Sequence, residues 1–164
     1  MLKFKLDVID KESVANAARE TEKAFGKLDI LINNTGYLSG FVLLLEQDPD
    51  EWWQNWDVNI RGGVYLMDDK ALLPIMLNGG DKMIINLSSI GAHFISSGRA
   101  DIRVRNFAVL RFTEHLNVDY EAHGLLAYCI HPAAVMTELA SKMPKAMHRS
   151  EWFTVYRDGA VLTG

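Results

Sequence analysis

Three short apolar runs constrain this chain more than anything else in it: LDILIN (28–33), KMIINLS (82–88) and LLAYCIHP (125–132). Each is strand-length rather than helix-length, and glycine or proline bounds the first and the last. Between them lie long stretches with helical periodicity. Strand–helix–strand alternation of this kind requires parallel pairing through right-handed crossovers. Near-continuous apolar strands are those covered by helices on both sheet faces. LKFKLDV (2–8) alternates apolar and polar residues and reads as a further short strand at the start.

The helical stretches carry their own start and stop signals. SVANAARETEKAF (13–25) puts Val14, Ala17, Ala18, Thr21, Ala24 and Phe25 on one face, with Ser13 as N-cap and Gly26 as the stop. Residues 48–77 open with Asp48 as N-cap, Pro49 in the first turn and Glu51 three residues after the cap. Gly62–Gly63 and Pro74 should weaken or bend that helix. A third helix is expected over 106–124, stopped by Gly124. After Thr137 the pattern fades, so 139–164 is expected to be irregular with one short helix.

At 164 residues the chain has the length of one domain, and 49% apolar residues suffice for a core. A net charge of -4 argues against a nucleic-acid partner. The lone Cys129 lies in an apolar run, which suits a reducing compartment and excludes a disulfide framework. No run approaches the ~20 apolar residues of a membrane span. The expectation is a soluble, cytoplasmic protein.

Parallel sheets bind ligands at the carboxyl ends of their strands. Those ends are Asp7, Asn33–Gly36, Ser88–Ser89 and His131–Thr137, where polar residues and glycines collect. The motifs there, in this order, resemble those of the short-chain dehydrogenase/reductase family. DVID (7–10), NNTG (33–36), DVNIRG (57–62), INLSS (85–89) and HPAAVMTE (131–138) are similar to five of its segments, so residues 1–138 match the family. The resemblance implies a doubly wound, Rossmann-type α/β domain and NAD(P)-dependent interconversion of an alcohol and a carbonyl. It implies catalytic roles for Asn59 and Ser89, and cofactor contacts from Asp7, Asn34, Thr35, Gly36, Pro132 and Thr137. It also implies an oligomer built through the helices over 48–77 and 106–123.

Two departures set the expectation for activity. The family's tyrosine and lysine follow its serine by thirteen and seventeen positions; counting from Ser89 gives Ile102 and Asn106. Ile102 has no proton to move, and Asn106 has no charge to lower a phenol's pKa from ~10. Loss of a positioned acid–base group typically removes ~100- to 10,000-fold in rate. The glycine-rich turn that meets a pyrophosphate is also missing, because the chain opens at what resembles the third strand. In the order 3-2-1-4-5-6, strands 1 and 2 would separate LKFKLDV from LDILIN, so the second becomes an exposed edge. The expected product is an incomplete domain, impaired as an enzyme. The rivals are a pseudoenzyme that pairs with an intact homologue, and a defective gene product.

Plainer readings exist for most of these residues. Ser89 can merely cap a turn, Asn59 can face solvent, and Asn33, Asn34 and Gly36 can form a tight turn. Trp52, Trp53 and Trp56 read as packing or a partner surface. Arg99, Arg103, Arg105 and Arg111 read as a solvated basic face. The five histidines show no metal-ligand spacing.

Overall fold

A computed structural model describes residues 1–68, 70–95, 97–132, 155–157 and 160–162. Three parallel strands form the central sheet in the order β1-β2-β3: Ile30–Asn33, Met83–Leu87 and Leu126–Ile130. Their register aligns Leu31, Ile84 and Ala127 in one row, and Ile32, Ile85 and Tyr128 in the next. Helices α1 (Lys11–Phe25), α2 (Pro49–Trp56), α3 (Gly62–Leu66), α4 (Leu72–Leu77) and α5 (Ala100–Asp119) complete the domain. Val155–Arg157 (β4) and Ala160–Leu162 (β5) pair as an antiparallel hairpin, where irregular structure with a helix was expected.

Two apolar clusters form the core. Val14 and Ala18 of α1 pack with Val8, Leu66, Ala71, Leu72 and Ile75, while Leu73, Met76 and Leu116 pack on Ile84, Leu125 and Ala127. Both clusters lie on the Leu31–Ile84–Ala127 face of the sheet. The opposite face carries Ile30, Ile32, Leu126, Tyr128 and Ile130, all exposed among the described residues. Coverage of both faces, expected from the apolar strands, is therefore not found among them.

Four local expectations are corrected. Residues 2–8 form no strand, because β1 has no partner on that side; only Val8 is buried there. Asp10 rather than Ser13 caps α1, its side chain accepting from the Glu12 N–H, while Ser13 Oγ accepts from the Asp7 N–H. The stretch 48–77 is not one helix: a π turn spans Asp57–Arg61, and the chain breaks before Leu72. Pro74 thus falls in the first turn of α4, where its missing N–H leaves no ladder bond unmade. The last helix begins at Ala100, so the arginine-rich segment is helical.

Asp48 caps α2 as expected, accepting from the N–H groups of Asp50 and Glu51. Gly62 is there for close approach rather than to bend the helix. A Cβ at that position would stand 2.8 Å from a Val8 methyl.

Candidate functional site

The carboxyl ends of β1 and β2 meet the middle of α5 through side-chain amides. Asn33 Nδ2 donates to Asn86 Oδ1 at 2.7 Å, and Asn86 Nδ2 donates to Thr113 Oγ1 at 2.9 Å. Thr113 passes its proton on to the Val109 carbonyl at 2.7 Å. Asn86 is buried, and a polar side chain inside MIINL was the one signal that could have singled it out. Ser88 Oγ donates to the Asn106 carbonyl at 3.0 Å, tying the end of β2 to the second turn of α5.

Asn59 sits in the π turn and does not face solvent. Its Nδ2 donates to the carbonyls of Asn55, 2.7 Å, and Tyr37, 3.0 Å, while its Oδ1 accepts from the Tyr37 N–H at 3.2 Å. The loop after β1 is thereby clamped to the helix. π turns are rare and tend to occur where a helix carries a site.

Ser89 is half-buried at the end of β2, and its Oγ accepts from the Gly91 N–H at 3.0 Å. The capping contact is real, then, and it holds the turn over Ile90–His93. Arg103 clamps the same turn from α5, donating from Nη1 to the carbonyls of Gly91 and Phe94. Ile102 and Asn106 stand one helical turn apart on α5; Asn106 is buried and Ile102 partly so.

The other expected residues spread around the strand ends. Asn34, Thr35 and Gly36 are exposed after β1, and Pro132 is exposed after β3. Asp7 is exposed and uses Oδ1 to accept from the Ile9 N–H, which shapes the turn into α1. Thr137 lies outside the described residues.

A second polar cluster was not foreseen. Asp101 is 1% exposed, and its Oδ2 accepts from Ser39 Oγ at 2.7 Å and Asn55 Nδ2 at 3.2 Å. It fastens the loop before α2 to the first turn of α5. No periodicity marks these three residues as partners. Arg105 overturns the solvated-face reading of the basic cluster, since it is 8% exposed. Burial lowers its pKa to about 10, with the Asp101 charge acting in the opposite sense. Arg103 is lowered too, by burial and then by the like charge of Arg99.

Asn33, Thr35, Asn59, Asn86, Arg105 and Asn106 line a cavity of about 140 Å3 with apolar walls from β1, α3 and α5. A dinucleotide needs more room and a pyrophosphate cradle. This cavity is smaller than a dinucleotide, and α1, α2 and α5 each place acidic side chains in the first turn, where they compete with an anion for the N–H groups.

Comparisons with known proteins agree with this geometry. A family model described as enoyl-(acyl carrier protein) reductase matches residues 1–157. The short chain dehydrogenase mpl6 of Monascus purpureus is 50% identical over 145 residues, covering 88% of this chain and 49% of that protein. The short chain dehydrogenase tazN of Aspergillus terreus is 38% identical over 141 residues, covering 84% of this chain and 30% of that protein. Among solved structures, ElxO with NADP bound superposes with a TM-score of 0.78 at 28% identity, covering 90% of this chain and 59% of that one. The chain spans about half the length of several curated relatives it matches, mpl6 among them. With its parallel sheet, the order of its motifs and these matches, the chain belongs to the short-chain dehydrogenase/reductase family.

Proposed function

We propose that this chain carries the framework of an NAD(P)-dependent alcohol/carbonyl oxidoreductase but is impaired in catalysis. One observation carries the reading: the two positions on α5 that should hold a phenol and an ammonium hold Ile102 and Asn106. A hydride transfer needs a matched proton transfer at the substrate oxygen, and neither side chain can supply it or tune it. Asn59 and Ser89 keep the framework's places, Asn59 in a proton relay and Ser89 on the substrate oxygen. NAD(P) is the cofactor this framework takes, with Asp7, Asn34, Thr35, Gly36, Pro132 and Thr137 the residues that would face it. The acidic helix starts argue that this chain alone holds it weakly.

Calorimetric titration with NAD and NADP tests the cofactor half, and micromolar binding of either would overturn it. Turnover tests the other half. Neither the chain as it stands nor Ile102→Tyr with Asn106→Lys should show cofactor-dependent oxidation of small alcohols. Ordinary turnover by the unaltered chain would sink the impaired reading.

A second reading is favoured by the surface of the helices. Val104, Phe107 and Val118 on α5, with Trp53 on α2 and Val64 on α3, are exposed apolar side chains. A non-catalytic chain could use them to bind a second copy or an intact homologue. Mixing with such a homologue and following hetero-oligomers by sedimentation tests it.

A further inference from the structure

Arg105 is a charged group that the fold buries without an ion pair among the described residues, the Asp101 charge one turn away offsetting its burial only in part. Its Nε is enclosed and meets no acceptor among the described residues. Asp101, one turn earlier on α5, would be the natural partner, but its Oδ2 is engaged by Ser39 and Asn55. None of the ion pairs among the described residues includes Arg105. Arg105 nonetheless lines the cavity of about 140 Å3, and Asn106 lines the same space. Both side chains are more than nine-tenths buried, Arg105 at 8% and Asn106 at 6% exposure.

A buried cation is tolerable when an anion joins it inside the same low-dielectric space. The planar fork of an arginine matches a carboxylate in two parallel hydrogen bonds. The remaining walls, including Leu31, Val58, Val109 and Phe112, offer apolar surface rather than further donors. A cavity of ~150 Å3 accommodates a molecule of benzene's size, so the space suits a ligand of about six non-hydrogen atoms. We infer that this cavity is a binding site for a small carboxylate with a short apolar tail, held through Arg105 and Asn106. The proposed contacts need no hydride transfer, although Asn59 and Thr35 of the proposed dehydrogenase framework line the same space.

Protein- and ligand-observed NMR on the 15N-labelled full chain at neutral pH tests this with butyrate, its neutral isostere butyramide, and inorganic phosphate. Butyrate should bind at least about tenfold more tightly than butyramide, the size of a modest charge-assisted preference. The Arg105 Nε–H resonance should shift with butyrate and stay unmoved with butyramide. Arg105→Met should lose the preference, whereas the exposed Arg111→Met should keep it. Equal binding of butyrate and butyramide would mean a merely apolar cavity and overturn the proposal. So would phosphate binding as tightly as butyrate, or an Arg105 resonance that never responds. Because the resonance is read in the unaltered protein, the outcome does not hinge on whether the Arg105 variant folds.

Discussion

At the scale of single residues, an arginine enclosed without an ion pair works against folding. Its charge is stripped of water and repaid only in part by Asp101, which is why its pKa falls to about 10 from the usual guanidinium range. Arg105→Met keeps most of the side-chain volume and removes that penalty. It should raise stability by on the order of 2 kcal/mol at neutral pH, seen in urea or thermal unfolding. The sign of the pH dependence follows from the direction of the shift. Below pH ~10 both folded and unfolded chains carry the charge, and the full penalty applies. Above it the folded form loses its proton first, so the advantage of the variant should shrink. A destabilised Arg105→Met would show that the guanidinium has a partner supporting it.

The same segment supports a hypothesis about its origin. The genetic code allows codons GAT-ATH-CGN-GTN-CGN-AAY for Asp101 to Asn106; read one nucleotide earlier, they become TAT-HCG-NGT-NCG-NAA. That frame can spell Tyr-x-x-Ser-Lys, with the tyrosine and lysine falling at positions 102 and 106. A pair of compensating single-base shifts would explain why a basic stretch with a buried, unpaired Arg105 sits between flanks that keep the family pattern. Sequencing the gene across this segment decides it: codons that cannot yield both residues in a neighbouring frame end the idea.

At the scale of elements, the contrast between what was and was not readable has physical causes. The three core strands were legible because a strand packed in a sheet needs a continuous apolar run, and each has one. LKFKLDV has the alternation of a strand but no neighbour to complete its ladder, and pattern alone cannot reveal a missing neighbour. The break in residues 48–77 was only half legible. Its glycines were visible, but the π turn coincides with hydrogen bonds from Asn59 to Tyr37, twenty-two residues away in sequence. Arg105 was misread, and Asp101 passed over, for the same reason, since charge suggests exposure unless the partner loop is known. Of the motif residues, Ser89 follows β2 and caps the next turn, and Asn59 lies against the loop after β1. Asn59→Ala should release the loop at Tyr37 and leave main-chain groups without partners. A loss of about 1–3 kcal/mol is expected, with faster amide exchange at Tyr37. Unchanged exchange there would show that the clamp does not hold the loop.

At the scale of the whole molecule, the sheet is managed unevenly. The free edge of β3 is partly satisfied by α5, because Asn117 donates to the Ala127 carbonyl and accepts from its N–H, both at 2.7 Å. Among the described residues no such device guards β1, which pairs there only with β2. Beside that edge the row Ile32–Ile85–Tyr128 crosses the sheet with both ends exposed, Ile32 at 58% and Tyr128 at 47%. Ile30, Leu126 and Ile130 extend the same apolar face. An open edge next to an apolar face is a template for another chain, by strand addition or by face-to-face packing. The isolated chain should therefore self-associate, with sedimentation that depends on concentration. Ile32→Lys with Tyr128→Lys places charge at both ends of the row without touching the Leu31–Ile84–Ala127 core, and should shift the population towards monomer while cooperative melting persists. Phe107→Lys on α5 serves as the contrast, because it alters the helix surface alone. A dissociation produced by Phe107→Lys and not by the sheet pair would move the contact to the helices, as in the partner-binding reading. A concentration-independent monomer in the unaltered chain would mean that neither surface is sticky enough to matter.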